Sequence, residues 1–204
     1  MHAGVKTDPL TGAVMTPIYA TSTYAHDRPG EHKGYEYSRS QNPTREVLEN
    51  SIAELESGYK AFAFASGVAA QTAVLDLLKP GDHVIAFDDL YGGTFRLFNE
   101  IKSKSSNIEF TFVDLNTNFS KEIKKNTKMI WIETPTNPLL KITDLKRIAR
   151  IARKNKLITV CDNTFATPYN QRPLEHGIDI VNHSTTKYIN CLLYTSDAAD
   201  EADG

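Results

Sequence analysis

Apolar residues in this chain fall mostly in runs of four or five, separated by longer stretches of mixed character. Residues 61–65 (Ala-Phe-Ala-Phe-Ala), 83–87, 110–113, 129–132, 157–160 and 178–181 read as strands. Between them lie helical patterns. One runs from Val68 to Leu78 and is ended by Pro80-Gly81. A second spans 94–102, and a weaker one spans 120–125. In a fourth, Leu145, Ile148, Ala149, Ile151 and Ala152 share one face and basic residues the other. Runs that are apolar throughout, rather than alternating, predict strands buried on both sides. Their alternation with helices predicts an α/β chain, its mainly parallel sheet covered by helices on both faces.

The two ends of the chain read differently. The first forty residues are punctuated by Pro9, Gly12, Pro17, Pro29, Gly30 and Gly34, with Tyr19, Tyr24, Tyr35 and Tyr37 among them. Such an arm buries little of itself and is expected to lie on another surface. A helix then starts at Asn42, a good N-cap, followed by Pro43 in the first helical position. Val47, Leu48, Ile52 and Leu55 continue it, and Gly58 is the expected C-cap. After Asn190 the composition shifts to small and acidic residues. The expected division is an arm over 1–40, a large domain over 41–190, and a tail over 191–204 foreign to the fold.

Composition narrows the class. Hydrophobic residues make up 40% and charged residues 24%, as in soluble globular proteins. A net charge of −2 offers no basic footprint for nucleic acid or an anionic membrane. The N-terminus lacks a signal-peptide pattern, and the apolar stretch 61–78 is broken by Ser66, Gly67, Gln71, Thr72 and Asp76, so no membrane span is expected. Two cysteines, Cys161 and Cys191, cannot build a disulfide framework or a CxxC zinc site. A reducing, cytoplasmic setting is expected.

In an open α/β sheet, ligands bind beyond the carboxyl ends of the strands. Five such ends carry chemistry: Ser66-Gly67, Asp88 to Gly93, Glu133 to Pro138, Cys161 to Thr164, and His183-Ser-Thr-Thr-Lys187. Ser66-Gly67, between a strand and a helix, is either a plain turn or a phosphate cradle made by a helix N-terminus. Asp162 is either a loop or cap residue or the partner of a cationic ring nitrogen. Lys187 is either a solvated charge or, after three hydroxyls, a Schiff-base nucleophile. Tyr91 either packs or lies against a flat ligand, with glycines beside it. Lysine, aspartate, phosphate cradle and aromatic plate together point to pyridoxal phosphate. No GxGxxG, Walker or Gly-x-Ser-x-Gly motif is present, and the six histidines show no metal-ligand spacing, so no metal is expected.

Several segments resemble one family. They are Tyr35-Glu-Tyr-Ser-Arg-Ser-Gln-Asn-Pro-Thr-Arg45, Phe64-Ala-Ser-Gly-Val-Ala-Ala70, Asp89-Leu-Tyr-Gly-Gly-Thr94, Trp131-Ile-Glu-Thr-Pro-Thr-Asn-Pro138, Asp162-Asn-Thr-Phe165 and His183-Ser-Thr-Thr-Lys-Tyr188. In order and spacing they resemble the pyridoxal-phosphate-dependent enzymes of Cys/Met metabolism, the cystathionine γ-synthases, γ-lyases and β-lyases and the methionine γ-lyases. The resemblance runs from about His2 to Asn190. It implies fold type I of the pyridoxal-phosphate-dependent transferases, here with its large domain incomplete. It implies that Lys187 is the Schiff-base lysine, Asp162 the partner of the pyridine nitrogen, and Tyr91 the ring-stacking tyrosine and a candidate acid or base. The Ser66, Gly67 and Val68 segment with Ser184 and Thr186 would hold the phosphate. Asn137 and Thr164 would be further cofactor contacts, and Tyr37 with Arg39 would reach the phosphate of a neighbouring subunit in a homodimer or homotetramer. Gln41 and Val68 depart from residues common in the family.

The implied activity is trans-sulfuration at Cγ of a homoserine-derived or cystathionine substrate, by a γ-synthase or γ-lyase. A β-lyase or methionine γ-lyase is the nearest rival. A non-catalytic remnant that binds cofactor is the rival of another class, and a nucleotide-binding α/β protein ranks below it. The family continues past Asn190 into a last strand and a C-terminal domain bearing the arginine for the substrate carboxylate. The 204 residues as written are therefore expected to have an unprotected sheet edge and to be inactive.

Overall fold

A computed structural model describes residues 5–190; the tail over 191–204 lies outside the described residues. The chain divides into two compact units, Met1–Ala63 and Phe64–Gly204.

The first unit is an irregular arm with one helix. Its short ribbon pairs β1 (His26–Arg28) antiparallel with β2 (Glu31–His32). Helix α1 (Pro43–Leu55) starts where the sequence places it, with Asn42 Oδ1 accepting from the N–H groups of Thr44 (2.9 Å) and Arg45 (3.2 Å). The same start is stitched to the arm. Asn42 Nδ2 donates to Tyr19 O at 3.0 Å, and the Thr44 hydroxyl accepts from Tyr19 N–H and donates to Pro17 O. The helix thus groups with the arm rather than with the sheet. Its C-terminal turn differs from expectation. Ser57, not Gly58, takes the left-handed conformation (φ 56°), and Gly58 N–H reaches back to Ala53 O at 2.7 Å.

Residues 61–65 form no strand. Phe62 and Phe64 are 65% and 48% exposed. A short apolar run becomes a strand only when another strand takes up its backbone N–H and C=O groups, and among the described residues none pairs with this one.

The second unit is the α/β body. Five strands, β3 (His83–Phe87), β4 (Glu109–Val113), β5 (Thr127–Glu133), β6 (Ile158–Asp162) and β7 (Ile180–Asn182), form one sheet in the order β4-β3-β5-β6-β7. Every pairing is parallel. All of β3 and nearly all of β5 is buried, so both faces of the sheet are covered. The core includes Phe98, stacked on Phe110 at 4.8 Å and edge-on to Trp131 at 5.1 Å.

Helix α2 (Gly67–Leu75) precedes β3. Helix α3 (Gly92–Arg96) runs through a π turn, Leu97–Lys102, into the short α4 (Ser103–Ser105). A 3-10 turn, Phe119–Glu122, stands where the weaker helix was expected. Helix α5 (Leu145–Lys154) is capped by Asp144, whose carboxylate accepts from Arg147 N–H at 3.0 Å. No helix among the described residues is long and apolar enough to cross a membrane.

Parallel strands end on one edge. Register there is strict: Glu133 pairs with Asp162, and Asp162 with Asn182. The last rung of three adjacent strands is therefore polar and buried.

Candidate active site

Along that edge a cavity of about 230 Å³ is bounded by the start of α2 and the loops after β3, β5, β6 and β7. Every site residue predicted from this unit lines it: Ser66, Gly67, Val68, Tyr91, Asn137, Asp162, Thr164, Ser184, Thr186 and Lys187. Tyr37 and Arg39 belong to the first unit, where the Arg39 guanidinium stacks 5.1 Å from the Tyr37 ring centre. A larger depression of about 510 Å³ between α5 and the 173–177 segment is lined by Arg150, Arg153, Glu175 and His176. Size alone would favour it, but none of the chemistry-bearing strand ends reaches it. Among the described residues no cluster of His, Cys, Asp or Glu is arranged for a metal.

The α2 end of the cavity presents a helix N-terminus, the kind of feature at which backbone N–H groups can meet an anion. Ser66 is the N-cap, its Oγ accepting from Ala69 N–H at 3.1 Å, and the first N–H groups of the helix have no partner inside it. Gly67 suits a close approach. A Cβ there would stand 3.0 Å from Ser184 Cβ and 3.2 Å from its Cα. The hydroxyl-rich loop after β7 thus comes to rest directly on the helix start.

Asp162 sits deeper, 6% exposed, with four hydrogen bonds to its two carboxylate oxygens. Oδ1 accepts from the N–H (3.0 Å) and hydroxyl (2.5 Å) of Thr164. Oδ2 accepts from Asn182 Nδ2 at 3.0 Å and Gln71 Nε2 at 3.3 Å. Thr164 also accepts from Ser184 N–H at 2.8 Å, which ties the ends of β6 and β7 together. Lys187 lies in the turn after β7, and its side chain is exposed rather than partly buried.

Opposite, Tyr91 stands at the start of α3, its ring folded back over Gly93, where a Cβ would collide with it. Its N–H donates to Glu133 Oε2 at 2.9 Å. The loop after β5 is fixed to the loop after β3 by Asp89, which accepts from the Thr136 hydroxyl and from Leu139 N–H.

Glu133, Gln71, Pro135 and Phe165 complete the wall; Glu133 and Pro135 lie in a strand end singled out in the sequence and Phe165 in a motif, but none of the four was assigned a role there. Glu133 is 6% exposed, and burial pushes its carboxyl up to about 8, with Asp162 and Asp89 adding to the rise against the backbone N–H groups of Tyr91 and Asn137. Its signal was positional, as the last residue of an apolar strand. Gln71 carried a fainter one, as the single amide of a mostly apolar helix, one turn beyond its start.

Known proteins share this sequence and arrangement. A family model described as Cys/Met metabolism PLP-dependent enzyme matches residues 1–192. A cystathionine beta-lyase of Coxiella burnetii is 58% identical over 93% of this chain and 50% of its own length. A probable cystathionine gamma-synthase of Herpetosiphon aurantiacus is 51% identical over 93% of this chain and 60% of its own. The crystal structure of cystathionine gamma-lyase from Lactobacillus plantarum, complexed with L-serine, superimposes with a TM-score of 0.89 at 47% identity, covering 92% of this chain and 49% of that one. The chain spans about half the length of two of these proteins and three fifths of the third.

Proposed function

Because the chain belongs to the Cys/Met-metabolism PLP-dependent enzymes, we propose that it forms the cofactor-holding half of a cytoplasmic trans-sulfuration enzyme acting at Cγ of a homoserine-derived or cystathionine substrate. The observation that carries this reading is one cavity bringing together Lys187, Asp162, Tyr91 and the N-terminus of α2.

The residues present fit pyridoxal phosphate. At one end the α2 N-terminus and the Ser184 and Thr186 hydroxyls suit a phosphate, and Gly67 leaves the space a Cβ would fill. At the other, Asp162 offers a buried carboxylate to a protonated ring nitrogen, and the carbonyl oxygens Gln71 Oε1 and Asn182 Oδ1 are buried without a partner. The bound cofactor would supply an electron sink for charge developing at the substrate Cα.

The chain's own groups do the rest. Lys187 would hold the cofactor through Nζ, and its amine is the group that would move a proton to and from the substrate Cα. Asp162 holds the ring nitrogen, and Thr164 and Asn182 hold Asp162. Asn137 offers an amide to the cofactor or substrate at the cavity wall. Tyr91 stacks on the ring and serves its hydroxyl as acid or base to the leaving group. Glu133 fixes the Tyr91 backbone.

Borohydride reduction in the presence of pyridoxal phosphate, followed by peptide mapping, tests the assignment. A label on Lys187 is expected; a label on another lysine, or none, sinks it. Turnover of cystathionine by the full-length protein tests the position of cleavage. Cysteine with 2-oxobutyrate marks γ-elimination. Homocysteine with pyruvate marks the β-lyase reading, favoured by the 58% identity to the Coxiella protein. A labelled protein that turns over neither cystathionine nor an O-acylhomoserine with cysteine is a non-catalytic cofactor binder.

The arm extends the proposal to a homodimer or homotetramer with shared sites. Arg39 offers a bidentate grip on a phosphate of the neighbouring subunit. Mixed assemblies of Arg39→Ala and Lys187→Ala full-length chains are expected to regain part of the activity. Mixed assemblies without activity exclude sharing.

A further inference from the structure

Gln71 is a polar residue where the local pattern calls for an apolar one. Helix α2 reads Gly-Val-Ala-Ala-Gln-Thr-Ala-Val-Leu, and Gln71 is one of its two fully buried positions, 2% exposed; the other is Leu75. Its Nε2 donates to Asp162 Oδ2 at 3.3 Å, the longest of the four bonds to that carboxylate. Its Oε1 is buried without a partner, and the side chain lines the cavity. Turning the amide over would set Oε1 against the Asp162 oxygen, acceptor to acceptor, so Asp162 fixes its direction. A buried acceptor left unpaired costs free energy that an apolar residue of the same shape would not. The arrangement makes sense if a ligand brings the missing donor.

Position identifies the donor. The cradle for a phosphate lies at the first turn of α2, and Gln71 lies about one turn, 5.4 Å, further along. In pyridoxal phosphate the phosphate arm and the ring nitrogen are two ring atoms apart. With the phosphate at the start of α2, a protonated ring would bring its N–H donor to that part of the wall. We propose that Gln71 is a second binding residue for the cofactor's ring-nitrogen edge, its Oε1 sharing the ring N–H with Asp162 Oδ2. The weak Gln71–Asp162 bond is the one that yields as the N–H arrives. This proposal rests on the cofactor reading given above.

Cofactor-free full-length protein, wild type and with Gln71→Leu or Gln71→Met, tests it by three measurements: the melting midpoint without cofactor, the dissociation constant for pyridoxal phosphate, and the ¹⁵N shift of the ring nitrogen in labelled cofactor. The expected result is an unchanged or higher melting midpoint, a dissociation constant raised about tenfold, and a ring-nitrogen shift moved toward its unprotonated value. Variants that bind as tightly as wild type, with the same ring shift, overturn the proposal and leave the cofactor reading standing. Weaker binding in both variants with a matching loss of cofactor-free stability also overturns it, since Gln71 would then only support Asp162. Wild type that binds no pyridoxal phosphate overturns the cofactor reading and this proposal together.

Discussion

The two ends of the same sheet treat buried polar groups in opposite ways. At the amino end of β3, His83 is wholly buried, with Nδ1 2.8 Å from the Thr127 hydroxyl and Nε2 2.8 Å from that of Thr111. Both ring nitrogens are satisfied by neutral partners, and burial, with Lys124 nearby, lowers its pKa against Glu109 and Glu122, which raise it. At the carboxyl ends, Glu133 and Asp162 sit side by side, Glu133 is pushed up to about 8, and two amide oxygens go unpaired. One end is closed and serves stability. The other leaves buried acceptors unpaired and a carboxyl raised, the character the proposed cofactor site calls for.

Substitutions at the two ends should therefore separate binding from stability. The largest effect is expected for Lys187→Ala, which removes all covalent capture of pyridoxal phosphate on borohydride reduction. Because the side chain is exposed, the cofactor-free melting point should move little, within about 0.5 kcal/mol. A large drop would mean that this end, too, is built for stability. Next comes Asp162→Asn, which keeps the shape and loses the charge. The dissociation constant for pyridoxal phosphate should rise about a hundredfold, the worth of a charge-assisted bond.

Glu133→Gln comes third and concerns pH. The folded state holds on Glu133 a proton that the unfolded chain releases near 4.5. The folded protein binds more protons in that window, so this contribution to stability is complete below pH 4.5 and is lost as pH rises through about 8. The variant has no such loss, and its cofactor-free form should be more stable than wild type at pH 9, by roughly 2 kcal/mol. Parallel melting curves at pH 5 and pH 9 would refute the buried charge.

The smallest effect is at the other end. His83→Ala should cost about 1.5 kcal/mol, since it leaves Thr111 and Thr127 without their ring partner. Cofactor affinity should be unchanged. Here the pH sign reverses. The unfolded histidine takes up a proton near 6.5 and the buried one only lower, so this share of wild-type stability is present above 6.5 and lost as pH falls below it. Denaturant melts between pH 5 and 7.5 check it; a slope shared by wild type and variant would assign the effect elsewhere.

Much of this was legible in the sequence because its causes are local. Unbroken apolar runs became β3 to β7, and Asn42 became the N-cap it reads as. The strand-end residues were found together because parallel strands all end on one edge, so a one-dimensional list of loop chemistry becomes a site without knowledge of distances. What failed were readings that depend on a partner. Residues 61–65 have the strand pattern and no ladder, and Gly58 yields the left-handed turn to Ser57. The sequence by itself determined the fold class, the polar strand edge and the start of α2 beside it, through periodicity, capping and strand direction. Only the tertiary structure decided that Gln71 meets Asp162 across 91 residues of chain, that Glu133 stands beside Asp162 and is held near neutrality, and that His83 is closed off between two threonines. Those pairings follow from register and packing between segments distant in sequence, and no local propensity encodes them.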